Sequence, residues 1–528
     1  MLSEIMRKDL LIFLLASLCF SACSGLNDDS ADGSGSHSAM PEVQDKDGYL
    51  VKGLVLADGR PYAGAVVSDG VNVTMTDFEG RYWLRSTEGE DVVWISTPSG
   101  YEVDVTDGWN PQFWHRLDRA MLSEGRVQRC DFKLKSTCQD SFRLLVFSDA
   151  HIRGVTPPQG ISKVDSLVFR NEFFPTLKAA GSQQARTYAV VLGDMISEYA
   201  VTQNSTGLPE YKKCLRGLDF PVFHIPGNHD YKGIQYQTYH TEEAREAKQY
   251  YIDNLGPTYY SFNIGENHFV MLDGTQMTGG GQNVYKSRIT KRQYEWLKKD
   301  LTKANGKSLV ICCHQPFYMY ATATGQGGGS ILKANRDSIM ALTSEYQKVT
   351  ILSGHQHYSD IYDMKSGSTE IRQYTHTGVC GPTYRSRQCV DGAPCGLTTY
   401  DFTGDTYDRN HVSYGDGYDY HASFYHQDVS TAANSDIRCM LVNVPQYEKG
   451  WSVVVLEDGV KVREVARVQR MDPGYKKEFK EGNFPDQASV RPIESSHVFE
   501  YVPQDWNAMI KISVLKNGAL VAEKTINN

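Results

Sequence analysis

The sequence predicts an α/β (α+β) core of mixed β-sheets flanked by helices, between an N-terminal β-sandwich and a C-terminal β-rich domain. First, the 528 residues are too many for a single hydrophobic core, and their number suggests about three domains. Second, short alternating apolar stretches separated by turn residues occupy both ends of the chain. Third, apolar runs typical of buried strands alternate with helical patterns in its middle.

The first residues have the pattern of an export signal. Two basic residues precede an apolar run, residues 10–20, that is too short to span a bilayer comfortably. The letters CFSAC at residues 19–23 resemble a bacterial lipobox in which Cys23 is acylated, although an apolar segment that is never lipidated could carry the same letters. We therefore expect a signal peptide over residues 1–22.

The next segment has the composition of a flexible linker. Residues 23–44 are rich in Gly, Ser and Asp, which favours a tether between a lipid anchor and the first folded domain. The expected location is therefore outside the cytoplasm, as a periplasmic or outer-membrane (cell-surface) lipoprotein that associates with the membrane through its anchor. In such an oxidising compartment a disulfide could join Cys130 to Cys138, or two of Cys380, Cys389 and Cys395.

Residues 45–136 alternate between apolar and polar residues and contain frequent turn signals. Stretches such as VKGLVLADGRPYAGAVVSDG are typical of a small β-sandwich. The same segment resembles the carboxypeptidase-regulatory-like β-sandwich appended to many secreted enzymes. That resemblance implies a spacer or binding module without catalytic residues.

Five short apolar runs in the middle of the chain are typical of buried strands. Each ends in polar residues, and the stretches between several of them show helical periodicity or composition. The strand runs are residues 142–149, 187–194, 220–227, 308–314 and 348–355, and the helical stretches are 163–178, 290–302 and 331–346. Because ligands of such folds gather beyond the carboxyl ends of strands, we expect the site there.

The tail of the chain is β-rich again. Asp458-Gly459 and Asn517-Gly518 each separate two runs of alternating apolar residues, which is the strongest short signal for a hairpin. We expect a C-terminal β-rich domain over residues 416–528.

Every predicted core strand ends in residue types that bind divalent metals. These residues are Asp149 and His151, then Asp194, then Asn228 and His229, then His314, and finally His355 and His357. Any one of the motifs has an ordinary explanation as a turn or a buried polar pair. Their occurrence at five successive strand ends favours a single metal centre.

The motifs DAH, GD, GNHD, a later His and GHQH, in this order, resemble the signature of the calcineurin-like metallophosphoesterases over about residues 142–403. With its flanking β modules the chain resembles the bacterial three-domain subgroup, whose core domain would occupy residues 140–415. The resemblance implies two-layered mixed β-sheets and two divalent metal ions, Mn, Fe or Zn. It also implies a ligand set in which Asp149, His151 and His357 hold one ion, Asn228, His314 and His355 hold the other, and Asp194 bridges both.

The same resemblance implies the reaction. A metal-bridging hydroxide would attack a phosphate monoester or diester. His229 would stabilise the developing charge or protonate the leaving oxygen, and Asp230 would orient His229. The chain departs from many relatives at Ser197, where an acidic residue often stands, and at Cys312 and Cys313, which we expect to be buried and inert.

Several features near the motifs leave their roles open. The glycine run at residues 325–329 is either a mobile lid or an exposed loop. The segment 407–426 is rich in Tyr and His and suits either a substrate cleft or interdomain packing. His376 and Arg385 could contact phosphate, and His376 could equally be structural.

The net charge limits the choice of partner. With a formal charge of -9 and a pI near 5.9, the chain lacks the basic balance of a general nucleic-acid-binding protein. We therefore expect a phosphoester substrate and make no prediction of oligomeric state. One alternative is a nucleotide phosphodiesterase or nuclease. Another is a surface lipoprotein that binds glycan or protein and retains an inactive phosphoesterase scaffold.

Overall fold

The structure is a computed structural model that describes most of the chain. The described residues are 41–153, 165–182, 186–197, 207–231, 245–277, 285–304, 307–319, 332–415, 422–430, 436–465, 467–482, 484 and 490–526. The predicted signal peptide, Cys23 and the glycine run at 325–329 lie outside them. Within them, no helix combines the length and the apolar character needed to cross a bilayer.

The N-terminal region consists of short strands in two main sheets, as the alternating sequence predicted. One sheet has the order β11-β1-β12-β7, with β2 and β5 also paired to β1, and the other has the order β10-β6-β3-β4. The elements are β1 Val51–Ala57, β2 Arg60–Pro61, β3 Val66–Ser68, β4 Val73–Met75, β5 Arg81–Leu84, β6 Val92–Ser96, β7 Tyr101–Val103, β8 Val105–Thr106, β9 Asn110–Pro111, β10 Trp114–Arg116, α1 Arg119–Ser123, β11 Gln128–Arg129 and β12 Phe132–Ser136.

The central region contains two larger mixed sheets. The first core sheet has the order β15-β14-β13-β24-β25, and the second has the order β16-β17-β20-β21-β23-β22. The strands are β13 Ser141–Phe147, β14 Thr187–Val191, β15 Val222–His224, β16 Tyr260–Ile264, β17 Asn267–Leu272, β18 Thr275–Met277, β19 Tyr285–Ser287, β20 Ser308–Cys313, β21 Lys348–Ser353, β22 Asp360–Ser366, β23 Thr369–Thr375, β24 Gly396–Thr403 and β25 Thr406–Ser413. In the first sheet β15, β14 and β13 are parallel, and β24 and β25 continue it with antiparallel pairing. In the second sheet the four central strands are parallel, and an antiparallel strand lies at each edge.

Aromatic side chains join the two core sheets. Phe223 of the first sheet stacks on Phe262 of the second with ring centroids 4.0 Å apart. Phe142 stacks on Phe402 within the first sheet at 4.6 Å and meets Phe269 of the second edge-on. Such buried pairs contribute both apolar area and a preferred geometry, so they fix how the two layers meet.

Helices cover the outer faces of the sheets. Trp296 and Leu297 on α6 are buried with the second core sheet, and Phe169 and Leu177 are buried against the first. The helices are α2 Asp165–Val168, continued by a π-helical turn Phe169–Phe173 into α3 Phe174–Gly181, then α4 Gly207–Cys214, α5 Arg245–Leu255, α6 Lys291–Leu301 and α7 Lys333–Leu342. The helix predicted over residues 290–302 begins where the Thr290 hydroxyl caps the backbone N–H of Gln293.

The C-terminal region forms two four-stranded sheets, which we call the C-terminal sandwich (residues 422–526). Their orders are β26-β27-β31-β30 and β29-β28-β32-β33. The elements are β26 Ser423–Ser430, β27 Asp436–Asn443, β28 Trp451–Glu457, β29 Val460–Glu464, β30 Arg467–Met471, α8 Pro473–Glu481, β31 Glu494–Tyr501, β32 Ile510–Lys516 and β33 Ala519–Ile526. The predicted fold class is therefore confirmed: a core of mixed sheets with helices, flanked by β-rich regions.

The cysteines of the described residues all carry free thiols. Cys130 is buried and Cys138 is exposed, and the sulfur atoms of Cys389 and Cys395 lie 3.8 Å apart. Cys312 and Cys313 are fully buried in β20, where burial raises the pKa of both thiols and keeps them protonated. This confirms the prediction that these two thiols are buried.

Candidate metal centre

The loops after β13 and β14 hold each other in place. The N–H of Asp149 donates to the carbonyl of Gly193 at 3.0 Å, and the N–H of His151 donates to the carbonyl of Asp194 at 2.9 Å. Because β13 and β14 are parallel neighbours, these bonds extend their pairing beyond the strands. The first two motifs therefore end at the same edge of the first core sheet.

The loops after β20 and β21 come from the second core sheet and meet the first pair. The N–H of Gly354 donates to the carbonyl of His314 at 3.0 Å. The N–H of His355 then crosses between the sheets and donates to Oδ2 of Asp149 at 3.0 Å. A carboxylate at the end of one sheet thus fixes the loop at the end of the other.

Four imidazole nitrogens form two close pairs where these loops meet. Nε2 of His151 lies 3.1 Å from Nε2 of His357, and Nδ1 of His355 lies 3.1 Å from Nε2 of His314. Two ring nitrogens at this separation cannot both present lone pairs to each other without a proton or a cation nearby. The pairs therefore mark two places that favour positive charge, and neutral imidazole suits Zn, Fe and related ions.

Asp194 connects the two pairs. Its Oδ2 lies 3.1 Å from Nε2 of His314 and 3.5 Å from Nε2 of His151. The donor atoms of Asp194, His314 and His355 lie within 4.8 Å of one another, and so do those of His151, Asp194 and His229. Asp194 belongs to both groups, which is the placement that a bridging ligand requires.

Within the described part of the chain, two buried oxygen atoms at the site have no hydrogen bond of good geometry. They are Oδ1 of Asp149, which lies 3.2 Å from Nε2 of His357, and Oδ1 of Asn228. A buried polar atom without a partner costs free energy, on the order of 1–3 kcal/mol, unless something else satisfies it. A carboxylate and an amide oxygen beside convergent imidazoles are a suitable donor set for divalent cations, so the residues fit a two-metal site.

In two of the histidines, the ring nitrogen that points away from the site, Nδ1, is hydrogen-bonded to a backbone carbonyl. Nδ1 of His314 donates to the carbonyl of Leu192 at 2.7 Å, and Nδ1 of His357 donates to the carbonyl of Gly381 at 3.0 Å. These bonds leave Nε2 of each ring free to face the site. Metal-binding histidines are commonly oriented in this way.

The charges of the site depend strongly on one another. Burial acts to raise the pKa of Asp149, but His357, His151 and His314 together outweigh it and hold that pKa well below its usual range. Burial likewise opposes ionisation of Asp194, yet the charge of His314 holds its pKa low. Asp194 in turn raises the pKa of His314 to about 9, against burial, while burial and the charge of His314 lower the pKa of His355 to about 3. The carboxylates are therefore ionised, and the imidazoles cannot all be protonated.

The backbone is strained at most of the predicted ligands. In the described part of the chain, eleven non-glycine residues have positive φ angles, and five of them are predicted ligands: Asp149 (57°), His151 (43°), Asp194 (50°), His355 (71°) and His357 (58°). Each such conformation costs about 1–3 kcal/mol and persists only where the surroundings over-determine it. Strain of this kind clusters at functional sites.

Gly227 is packed against the carboxylate of Asp194. A Cβ atom added there would lie 2.1 Å from Oδ1 of Asp194 and 2.4 Å from its backbone nitrogen. The turn of Pro226 and Gly227 therefore brings the third motif into direct contact with Asp194.

Gly227→Ala should displace Asp194 and lower both metal content and stability, the latter by about 1–3 kcal/mol as in other overpacked sites. Metal content by elemental analysis and thermal unfolding would check this. Gly89→Ala is the matched control, because its added Cβ would approach nothing closer than Thr87 Oγ1 at 3.2 Å, in the N-terminal region. Equal metal content and melting temperature in both variants would contradict the expectation.

His229 and Asp230 follow Asn228 on the same turn. The His229 N–H donates to Oδ1 of Asp194 at 2.8 Å, and its Nε2 lies 4.0 Å from Oδ2 of Asp194. Its side chain is 34% exposed, more than those of His151 (11%) and His357 (16%), so it can meet a molecule that enters the site. Asp230 is fully buried and accepts hydrogen bonds from the N–H groups of Gly227 and Ile196. It therefore fixes the turn, and orientation of His229 by Asp230 stays a prediction.

The other sequence predictions fall in different places. His376 is buried, with its ring nitrogens bonded to the Ser353 carbonyl and the Tyr400 hydroxyl, which favours a structural role over a phosphate contact. Arg385 is half-buried, and burial together with the charge of Arg153 lowers its pKa, so a phosphate contact stays a prediction. Of the segment 407–426, residues 407–413 form β25 inside the core sheet, and residues 416–421 are outside the described residues.

Two residues at the site were not anticipated from the motifs. The Cys380 thiol lies 3.6 Å from Nδ1 of His357, and the Ser148 hydroxyl donates to Oδ2 of Asp149 at 2.5 Å. Ser148 directly precedes the first motif, so its position in the sequence was a usable signal. Cys380 is 23 residues beyond His357, and no local pattern connects them.

Three family models match the chain in succession. The model described as calcineurin-like phosphoesterase matches residues 142–359, which include all the predicted ligands. The model for the N terminal of calcineurin-like phosphoesterase matches residues 49–137, and the model for its C terminal matches residues 373–517. The matched segments do not overlap and together cover most of the chain.

Two curated relatives are purple acid phosphatases from Arabidopsis thaliana. Purple acid phosphatase 15 is 30% identical over 169 residues, which are 31% of this chain and 28% of the relative. Purple acid phosphatase 23 is 29% identical over 202 residues, which are 37% of this chain and 38% of the relative. The chain thus spans about a third of the length of these relatives.

Among solved structures, the sulfate thiohydrolase SoxB of Thermus thermophilus, in complex with glycerol, has 13% identity to this chain and a TM-score of 0.28. The match covers 52% of this chain and 57% of that one.

Proposed function

Because the chain belongs to the calcineurin-like phosphoesterase family, we propose that it is an exported dimetal phosphohydrolase that acts on a phosphate monoester or diester. The observation that carries the proposal is the two close pairs of imidazole nitrogens joined by Asp194, beside the buried Oδ1 atoms of Asp149 and Asn228. The proposal includes the division into domains at residues 45–136, 140–415 and 416–528. It also includes attachment to the membrane through Cys23.

Asp149, His151 and His357 would hold one ion, Asn228, His314 and His355 would hold the other, and Asp194 would contact both. Bound divalent cations supply two kinds of chemistry here: they polarise the phosphoryl oxygens, and they lower the pKa of a water so that it can act as nucleophile. The low pKa values of Asp149 and Asp194 support this assignment, because both carboxylates are ionised before any cation arrives.

Stabilisation or protonation of the ester oxygens would depend on side chains that face the entering substrate. His229 is half-buried beside Asp194 and can donate a hydrogen bond or a proton to an ester oxygen. The buried bonds of Asp230 to Gly227 and Ile196 hold the turn in place, so that His229 needs little reorganisation.

Removal of the metals should abolish turnover, and their return should restore it. We expect about two divalent ions per purified chain, loss of both after dialysis against a strong chelator, and recovery with Mn, Fe or Zn. Elemental analysis gives the stoichiometry. A panel of monoesters, diesters, nucleotides, phospholipids and phosphorylated sugars on the reconstituted protein gives the substrate class.

The panel also separates the alternatives. Turnover confined to nucleotides or nucleic acid would favour the nucleotide phosphodiesterase or nuclease. A folded protein that binds no metal and cleaves none of the esters would overturn the enzymatic proposal in favour of the binding lipoprotein.

A further inference from the structure

A buried polar chain connects the C-terminal sandwich to the loop that carries His357. Asp391 is fully buried, and its Oδ2 accepts hydrogen bonds from the Ser359 N–H at 2.9 Å and from Nε2 of His497 at 3.0 Å. Its Oδ1 accepts from the Ala393 N–H at 3.0 Å. Ser359 comes two residues after His357, so a side chain of the sandwich is separated from the metal centre by one carboxylate and a short stretch of backbone.

The hydrogen bonds of Asn443 orient its amide toward the His497 ring. The amide nitrogen of Asn443 donates to the backbone carbonyl of Asp391 at 2.9 Å, which can only accept, and to Oδ2 of Asp472 at 2.8 Å. The amide oxygen of Asn443 therefore faces Nδ1 of His497, at 2.6 Å, and Nδ1 must be the donor. Nε2 of the same ring faces Oδ2 of Asp391 at 3.0 Å, so the ring links Asn443 to Asp391.

The loop fixed by these hydrogen bonds, from His355 to Ser359, has a strained backbone. Both His355 and His357 have positive φ angles, and such conformations persist only where neighbouring contacts enforce them. Beyond the Asp391 bond, the Ser359 hydroxyl donates to the carbonyl of Pro445 at 2.7 Å. Tyr358 packs in a small buried cluster with Tyr475, on α8 of the sandwich.

We propose that His497 is a positioning residue for the metal ligand His357, acting through Asp391 and the N–H of Ser359. The C-terminal sandwich would then keep the His355–His357 loop in its metal-binding conformation. The proposal rests on the metal centre described above, and it assigns to the sandwich a role that substrate binding does not require.

Two substitutions at residue 497 distinguish loss of the hydrogen bond to Asp391 from loss of the imidazole ring itself. The side-chain amide of Asn reaches about as far as Nδ1, so His497→Asn keeps the bond to Asn443 and loses the bond to Asp391. The amide of Gln reaches about as far as Nε2, so His497→Gln keeps a neutral donor to Asp391. A positioning role therefore predicts damage in His497→Asn and rescue in His497→Gln.

The first measurement is hydrogen exchange of peptides that contain Ser359, in the full-length protein freed of metal. We expect exchange at least about 10-fold faster in His497→Asn and near the original rate in His497→Gln, with the rest of the sandwich unchanged. The second is the rate at which metal leaves to excess chelator. We expect about a 5-fold increase in His497→Asn, less than the 10–100-fold cost in affinity seen when a direct partner of a ligand is lost.

The chain offers a matched control in His268. Its ring lies between Oδ1 of Asn263 at 3.0 Å and Oδ2 of Asp300 at 2.9 Å, and it is equally buried. It sits at the start of β17, at the opposite end of the strand from the metal-binding loops. His268→Asn makes the same chemical change, so it should lower stability without altering exchange at Ser359 or metal release.

Exchange at Ser359 and metal release in these variants test whether His497 positions the loop. Unchanged exchange at Ser359 in His497→Asn, or equal effects in His497→Asn and His268→Asn, would overturn it. If His497→Asn does not fold, Asp391→Asn serves instead and should raise the same exchange rate, because an amide oxygen is a weaker acceptor than a carboxylate. Because exchange is measured without metal or substrate, a failure of the proposed phosphohydrolase activity would leave this test intact.

Discussion

Asp194→Asn should release both metal ions and lower phosphoester turnover on the order of 10³-fold, which corresponds to about 4 kcal/mol in the barrier. The reason is its shared position: Oδ2 of Asp194 lies 3.1 Å from Nε2 of His314 and 3.5 Å from Nε2 of His151, so one substitution affects both groups of donors. An amide at this position offers a neutral oxygen where the ions need a negative one. Elemental analysis of the purified variant and kinetics at saturating substrate would measure the two effects.

A buried aspartate elsewhere in the core provides the control. Asp300 is buried and accepts hydrogen bonds from His268 and Ser261, at the end of the second core sheet away from the loops. Asp300→Asn should lower the melting temperature and leave metal content and turnover per folded molecule unchanged. If Asp194→Asn kept two ions and most of its activity, the bridging role would be wrong.

The strands and their terminal residues were predictable because they depend on local sequence. The run ending at Asp194 and the run ending at His314 are apolar for five or six residues and then turn polar, and the structure makes them β14 and β20. Within one sheet, parallel neighbours end at a common edge, so the gathering of Asp149 with Asp194 and of His314 with His355 followed from the strand pattern. The meeting of the two sheet edges depends instead on how the sheets pack. The helix that begins after Thr290 was predictable from its capping residue and its amphipathic periodicity.

What escaped prediction depends on contacts between distant parts of the chain. The positive φ angles of His355 and His357 were not predicted, because only a minority of histidines adopt them and tertiary contacts decide which ones do. The bond between Asp391 and His497 joins residues 106 positions apart. Strand β24 was not recognised as a partner of β13, since the pairing of Phe142 with Phe402 is set by the packing of the layers.

His229→Ala should retain both metals and lose about 10²–10⁴-fold in turnover, the usual contribution of a positioned acid or base. The ring nitrogen Nε2 is 4.0 Å from Oδ2 of Asp194, while the N–H that secures the loop belongs to the backbone of His229. Removing the side chain therefore leaves the bond to Asp194 in place. Elemental analysis should find the same two ions as in the unsubstituted protein, in contrast to Asp194→Asn.

The leaving group then distinguishes the two roles of His229. If the ring protonates the departing oxygen, His229→Ala should slow an alkyl ester by about 10³-fold or more and an ester of a nitrophenol by about 10-fold, because an acidic phenol leaves without a proton. If the ring only stabilises charge on the phosphoryl oxygens, both esters should slow by the same factor, since that charge develops whatever group departs. Turnover of both esters at the original rate would remove His229 from the reaction altogether. We expect the first result, because the ring is 34% exposed beside the carboxylate of Asp194 and a departing oxygen can reach it.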